Sequence, residues 1–325
     1  MKTFLLVDAA NLLWRAAHVT RGDAYTRVGL AAHIVLNSLP YTLKKFNVDH
    51  VVFCYEGRSW RKQYDSSYKL NRKVTEAKRT IAEQEMVDHL MEMQNEMKTF
   101  IEENTNATVL QHRDLEADDL VAGWINFHPD DNHVILSSDS DFLQLVAPNV
   151  KIFNAISKTT YTFDGVFDEK DKPKLSKSGE PEVIDAEYYL FEKIIRGDTS
   201  DNIRPSYPGA RVKGSKNKVG IHEAYNDRHK QGFAWNTFMN SVWTDENGND
   251  RVVKDCFEHN KLLIDLHSQP DHIKDMIIDT IAAVYDNPKN ISLVGLKFLK
   301  FCGKYELNTL AANPTQITAM LAKGL

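Results

Sequence analysis

Carboxylates recur at five places along this 325-residue chain: Asp8 in FLLVD, Glu56 in VVFCYEG, Glu116, Asp118 and Asp119 in LEADD, Asp139 and Asp141 in VILSSDSD, and Asp198 and Asp201 in RGDTSD. Three of the five follow apolar runs, TFLLV, HVVFCY and HVILSS, that read as buried strands. Continuous Val/Ile/Leu runs mark strands of a parallel sheet covered on both faces. In open α/β sheets the functional crevice lies outside the carboxyl ends of the strands. Acids at several such ends would converge there, and so many like charges need a cation beside them to stay ionised. Carboxylates without His or Cys suit hard divalent cations such as Mg²⁺ or Mn²⁺. Two such ions about 4 Å apart serve in-line phosphodiester hydrolysis. Each cluster taken singly also reads as a helix cap, as in EADDLVAGW, because the helix dipole favours acids at its start. Five clusters, three of them double or triple acids, point to a shared metal site.

The elements that must position these acids can be read next. Strands are expected at 3–8, 50–55, 107–112, 133–138 and 150–154, with helical segments near 27–46, 76–104 and 116–127. Strands alternating with helices predict an α/β fold, a mostly parallel central sheet flanked by helices. Pro40 is expected to break or kink the first helical stretch. Ile81, Met86, Leu90, Met93, Met97, Phe100 and Ile101 fall at helical spacings, and the Met-rich stripe reads as core packing. Residues 164–187 are polar, with two Pro and two Gly, and read as a connecting loop. DAEYYLFEKIIRGD then reads as a helix ending at Gly197, TDENGNDR at 244–251 as a polar turn, and the rest as mainly helical. Past about residue 235 the sequence carries no recognisable chemistry.

Hydrophobic content of 42% and charged content of 26% are those of a soluble globular protein with room for a sizeable core. No 18-residue apolar run indicates a membrane span. Asp8 interrupts the apolar start, which therefore does not read as a signal peptide. Cys54, Cys256 and Cys302 lie far apart, arguing against a zinc site or disulfide framework and fitting a cytoplasmic location. The net charge is −5, but its distribution is uneven. Residues 58–79 carry eight Lys/Arg against two acids, and residues 204–230 carry seven against two. Basic segments beside an acidic metal site suit an enzyme acting on a polyanion. Arg61, Lys62, Tyr64 and Tyr68 interleave cations with aromatics, a pattern that suits unpaired bases, with ordinary helix packing as the alternative for the tyrosines.

The ordered set VDAANLLWRA, YEGRSWRKQYDSSYKLNR, LEADDLVAG, SSDSDFLQLV and RGDTSDNI resembles the 5′-nuclease superfamily of flap endonucleases and 5′-3′ exonucleases. ARVKGSKNKVGIHEAYNDRHK is most similar to tailed-phage ribonuclease H, and a bacteriophage protein in an infected host's cytoplasm is the source this implies. The resemblance covers roughly residues 4–230. It implies a 5′-nuclease domain over 1–183 with a helical arch at about 58–104. It further implies a helical C-terminal domain over 184–325, with a helix–turn–helix-type duplex-binding segment at about 198–230. Asp8, Glu56, Glu116, Asp118, Asp119, Asp139 and Asp141 would serve the metal site, with Asp198 and Asp201 on a second, looser ion. Two Mg²⁺ are implied, replaceable by Mn²⁺. Lys69 and Arg72, in YKLNR, match the family positions that contact the scissile phosphate. Lys213, Lys216 and Lys218 would contact duplex phosphates. Gly209, Gly214 and Gly220 are more widely spread than in the family hairpin, which puts in question the K⁺ that many relatives bind there. Glu56 departs from the family's F-D-G by placing its carboxylate on a longer arm.

The expected activity is Mg²⁺-dependent, structure-specific cleavage of DNA or RNA–DNA hybrids with free 5′ ends or flaps. A monomer is expected to remove RNA primers and flaps in replication, alongside a sliding clamp and single-strand-binding protein. Two other readings stand beside it: a PIN-type single-strand ribonuclease, and a catalytically silent branched-DNA-binding module, to which only Glu56 points.

Overall fold

The computed structural model describes residues 1–216 and 218–325; Asn217, within the basic segment at 204–230, lies outside them. In chain order, β1 (Thr3–Asp8), α1 (Ala9–Val19), α2 (Ala24–Phe46) and β2 (His50–Cys54) come first. A short 3₁₀ turn (Trp60–Gln63), α3 (Leu70–Glu76), α4 (Ile81–Asn104), β3 (Thr108–Leu110), α5 (Ala117–Phe127) and β4 (Asn132–Leu136) follow. Then come β5 (Val150–Asn154), β6 (Thr159–Thr162), β7 (Gly165–Phe167), α6 (Ala186–Arg196), α7 (Ile221–Asp227) and α8 (Phe233–Met239). The chain finishes with β8 (Val242–Thr244), β9 (Asp250–Val252), α9 (Val253–Ile264), α10 (Asp271–Asp286), α11 (Val294–Lys304), α12 (Asn308–Ala312) and α13 (Thr315–Leu321).

These elements form two compact units. Unit 1 comprises residues 1–59, 79–184 and 271–325; unit 2 comprises 60–78 and 185–270. The expected boundary at 183/184 falls beside the one at 184/185, but the C-terminal helices return to unit 1 and residues 60–78 join unit 2. Burial explains the return. Phe298, Phe301, Leu310, Ile317 and Leu321 lie in the same core as α2 and α4, and Phe301 stacks on Phe100 at 4.4 Å between ring centroids.

Unit 1 is built on a seven-stranded sheet of order β3-β2-β1-β4-β5-β6-β7. The first five strands are parallel; β6 and β7 run antiparallel at one edge. Leu5, Leu6 and Val7 of β1 are fully buried, as a central strand covered on both faces requires. The strand order reverses between β1 and β4, so the carboxyl ends of these two strands flank the topological switch point. α2 runs through Pro40 without a break, which leaves a kink as the remaining form of the expected disturbance. A proline inside a helix costs about 3 kcal/mol, but α2 buries Val28, Ala31, Ala32, Val35, Leu36, Leu39 and Leu43 against the core. The Ser38 and Thr42 hydroxyls also donate to the Val35 and Ser38 carbonyls beside the missing amide.

The Met-rich stripe of α4 is core: Met86, Leu90, Met93, Met97, Phe100 and Ile101 are all buried. Of the segment 58–104, the part from Ile81 onward thus packs its apolar face within unit 1. Unit 2 gathers Phe191, Ile194, Ile195, Ile221, Phe238 and Phe257 from α6 to α9 into its own core. The polar turn at 244–251 is the tip of the β8–β9 hairpin, held by Asp245, which accepts from the amides of Asn247 and Asn249.

Candidate active site

In unit 1 the sequence places acids just past the sheet, and local chemistry then fixes each one. Asp8 ends β1, pairs in register with Cys54 of β2, and caps α1 by accepting from the Asn11 amide at 3.2 Å. Its other carboxylate oxygen accepts from the Ser137 hydroxyl at 2.9 Å, just past β4. The same Ser137 oxygen accepts from the Asp139 amide, and Asp139 accepts from the Asp141 amide at 3.0 Å. Asn11 continues the tie, its side-chain oxygen accepting from the Ser138 hydroxyl at 2.7 Å. Asp8, Asp139 and Asp141 are thus held together at the switch point between β1 and β4.

The β2 side is joined through the start of α5. Glu56 is exposed, and its carboxylate accepts from the Ala117 amide at 3.2 Å. Glu116 accepts from the Ser59 hydroxyl at 2.7 Å, and Asp119 from the Glu116 amide at 3.1 Å. Asp119 and Glu116 are buried; Asp118 is half-buried. Gly57 makes this arrangement possible. Its amide donates to the Leu115 carbonyl at 2.8 Å, and an added Cβ would lie 2.0 Å from the His112 carbonyl oxygen. The Cys54 thiol registers the resulting field: burial first, then the charges of Asp8, Asp118 and Glu56, push its pKa well up. The donors gathered at this end of the sheet are carboxylate oxygens, which fit a hard divalent cation.

Unit 2 holds its acids differently. Gly197, at φ 70°, turns the chain out of α6 where a Cβ would lie 2.4 Å from the Ile203 carbonyl oxygen. The turn is closed by paired backbone bonds between Asp198 and Ile203. Burial pushes the Asp198 carboxyl up, but bonds from Ser200 and the Lys193 ammonium at 2.9 Å outweigh it and hold the pKa to about 2. Asp201 is buried and accepts from the Tyr68 hydroxyl at 2.9 Å and from Arg72 at 2.6 Å, with the Lys69 ammonium at 3.6 Å. Lys69 sits at φ 56° at the start of α3, and its amide donates to the Asp201 carbonyl. Lys69 and Arg72 are therefore brought together on one carboxylate.

Two residues expected to meet nucleic acid are corrected by burial. Arg61 is 2% exposed; it donates to the Leu263 carbonyl and lies 4.6 Å over the Trp60 ring. Tyr68 is 4% exposed within unit 2's core, so ring packing prevails over base stacking there. Lys62 and Tyr64 are exposed, as are Lys213, Lys216 and Lys218. The last three sit on a loop tied by Glu223, which accepts from the amides of Gly214 and Gly220 at 2.9 Å each. Asn11, Gly57, Ser59 and Ser137 were missed as supports. Their signal lay in the quoted stretches VDAAN, YEGRS and SSDSD, where small polar residues accompany each acid.

Comparisons with known proteins bear on family and fold. The family model described as 5′-3′ exonuclease, N-terminal resolvase-like domain, matches residues 3–171. DNA polymerase I of Borreliella burgdorferi is 25% identical over 251 residues, covering 71% of this chain and 25% of that protein. Flap endonuclease Xni of Shewanella piezotolerans is 25% identical over 217 residues, covering 66% of this chain and 74% of that one. The chain thus spans about a quarter of the length of the polymerase it matches. Among solved structures, a bacteriophage T5 flap endonuclease in complex with DNA and metal ions is similar at TM-score 0.57 and 18% identity, covering 96% of this chain and all of that one. T5 5′-exonuclease with bound zinc ions gives TM-score 0.59 at 19% identity, over 95% of this chain and all of that one. At such identity the structural likeness is one of fold. With more than half of its residues matched by the family model, the chain belongs to the 5′-3′ exonuclease family, through its N-terminal resolvase-like domain.

Proposed function

We propose that the chain is a divalent-metal-dependent, structure-specific 5′ nuclease that removes RNA primers and 5′ flaps during DNA replication. The observation that carries this is the set of carboxylates at the β1/β4 switch point and the α5 start of unit 1. Asp8, Glu56, Glu116, Asp118, Asp119, Asp139 and Asp141 are the residues that would hold metal, as two Mg²⁺ or Mn²⁺ ions, with Asp198 and Asp201 of unit 2 read as ligands of the looser one. When bound, such ions supply an activated water and neutralise charge on the leaving oxygen. The side chains supply the rest. Ser137 and the backbone amides hold the carboxylates in one orientation, which lowers the reorganisation needed at reaction. Lys69 and Arg72 would exchange the Asp201 carboxylate for a substrate phosphate and stabilise its developing charge. Lys62, Lys213, Lys216 and Lys218 would hold backbone phosphates without reading bases, which gives structure rather than sequence specificity.

Cleavage of a 5′-labelled flap duplex and a matched RNA–DNA hybrid, with Mg²⁺ and with EDTA, tests the reading. Mg²⁺-dependent release of short 5′ products is expected, and the ratio between the substrates ranks flap against primer removal. Tight binding without cutting in Mg²⁺ or Mn²⁺ would instead identify a silent branched-DNA-binding module.

A further inference from the structure

The outward side of α11 departs from what a solvent-facing helix should show. The helix packs Val294, Phe298, Phe301 and Cys302 into unit 1. A surface helix normally presents polar residues opposite such a face. Here Leu296 and Leu299 are 52% and 40% exposed, and Leu293, at the helix start, is 70% exposed. Leu293, Leu296 and Leu299 follow one another at i, i+3 spacing, so the leucines form one strip with Lys297 and Lys300 beside it. The strip ends at Gly303, where an added Cβ would meet nothing within 4 Å, leaving a shallow surface.

Leu293 adds an independent observation. It adopts φ 56°, in the left-handed region. That backbone costs roughly 1–2 kcal/mol for an L-residue with a Cβ. Strained backbone clusters at functional positions, and contiguous exposed apolar groups mark interaction surfaces.

Charge selects the partner. Residues 287–325 carry five lysines against the single acid Glu306, in a chain of net charge −5. Lys304 pairs with Glu96 and Lys323 with Asp49, and Lys289 donates to the Ala107 carbonyl. Among the described residues, Lys297 and Lys300 form no ion pair within the chain. Nucleic acid would use the two ammonium groups but not the leucines, because bases stack on aromatic rings and Arg planes, and this strip presents neither.

We propose that the outer face of α11, formed by Leu293, Leu296, Leu299, Lys297 and Lys300, docks an acidic peptide segment of another protein that carries apolar anchors. The leucines take the anchors, and the lysines steer the acids and fix their register. Small, partly polar surfaces of this kind support transient complexes.

The test is fluorescence anisotropy on the full chain with a labelled 12-residue peptide of Asp and Phe. A peptide with Ser for Phe and a 12-nucleotide single strand serve as controls. Saturable binding of the Asp/Phe peptide is expected, with affinity at least about tenfold above both controls. Leu296→Ser with Leu299→Ser, and separately Lys297→Gln with Lys300→Gln, should each weaken it by about tenfold while the circular dichroism and melting temperature stay unchanged. No saturable binding, or binding untouched by both double variants, would overturn the proposal. Preferential binding of the single strand, lost in the Lys297→Gln/Lys300→Gln variant, would reassign the face to nucleic acid.

Discussion

In unit 1, Asp8 and Asp139 take their bonds from backbone amides and a serine hydroxyl, whereas in unit 2 Asp201 meets Arg72 at 2.6 Å and Asp198 meets Lys193 at 2.9 Å. Neutral donors orient a carboxylate without cancelling its charge; ammonium and guanidinium groups do both. The consequence appears in titration. The field of Asp8, Asp118 and Glu56 helps push the buried Cys54 thiol up, while Lys193 helps hold Asp198 at about 2. Asp8 and Asp139 are oriented by neutral donors, whereas Asp198 and Asp201 each meet a cationic side chain. The same residue type is thus prepared for different partners by the groups that position it.

The contrast breaks most sharply at Asp141. Asp141→Asn removes one unit 1 charge at nearly constant shape and should slow single-turnover flap cleavage by about a thousandfold, equivalent to about 4 kcal/mol, with DNA binding largely intact. An undiminished rate would remove Asp141 from the site. Gly57→Ala attacks the support rather than the charge. With a carbonyl oxygen 2.0 Å from the new Cβ, the β2–α5 approach must open, at a stability loss of about 3 kcal/mol measured by urea unfolding. A midpoint equal to that of the parent would show that the loop yields freely. Lys69→Ala takes a cation from unit 2 instead, and should lower the single-turnover rate by about a hundredfold while affecting binding far less. Equal losses in rate and affinity would make Lys69 a binding residue only.

A pH-dependent effect concerns the opposite end of the sheet from the acids. His50 starts β2, is 1% exposed, and its Nε2 meets the Thr108 hydroxyl at 2.8 Å. Burial lowers its pKa from 6.5 to about 4, with the charges of Lys2, Lys323 and Lys289 adding to it. Below the unfolded value the unfolded chain binds a proton that the fold refuses. Stability from this group is therefore fully present above about pH 6.5 and is lost as pH falls toward 4, by up to about 3 kcal/mol. His50→Gln should flatten the melting-temperature profile between pH 7 and 5; an unchanged slope would assign the acid sensitivity elsewhere.

What the sequence revealed follows from which forces act locally. The five parallel strands were legible because a strand buried on both faces must be continuously apolar, as TFLLV and HVILSS are. β6 and β7 were missed because an antiparallel edge tolerates polar residues, and TTYT reads as a loop. α1 was not among the expected helices, although the cap reading of Asp8 pointed to its start and Asp8 does cap it. That the helix continues through Pro40 was not legible, because the proline penalty is local whereas the burial that offsets it is tertiary. The acids themselves were legible by type and spacing. Arg61 and Tyr68 were not, since a cation–aromatic pattern is the same whether it faces solvent or closes over Trp60 and Asp201. The exposed leucines of α11 were silent for the same reason, because exposure is not written in composition.

Equilibrium Mn²⁺ binding decides whether the unit 1 carboxylates form a divalent-cation site. Free Mn²⁺ followed by electron paramagnetic resonance should fall saturably as the protein is added. Asp8→Asn, folded by circular dichroism, should bind at least about tenfold more weakly, because a hard cation is held by carboxylate charge. Uptake identical in the parent and in Asp8→Asn, or no uptake by either, would show that the unit 1 carboxylates are not a divalent-cation site.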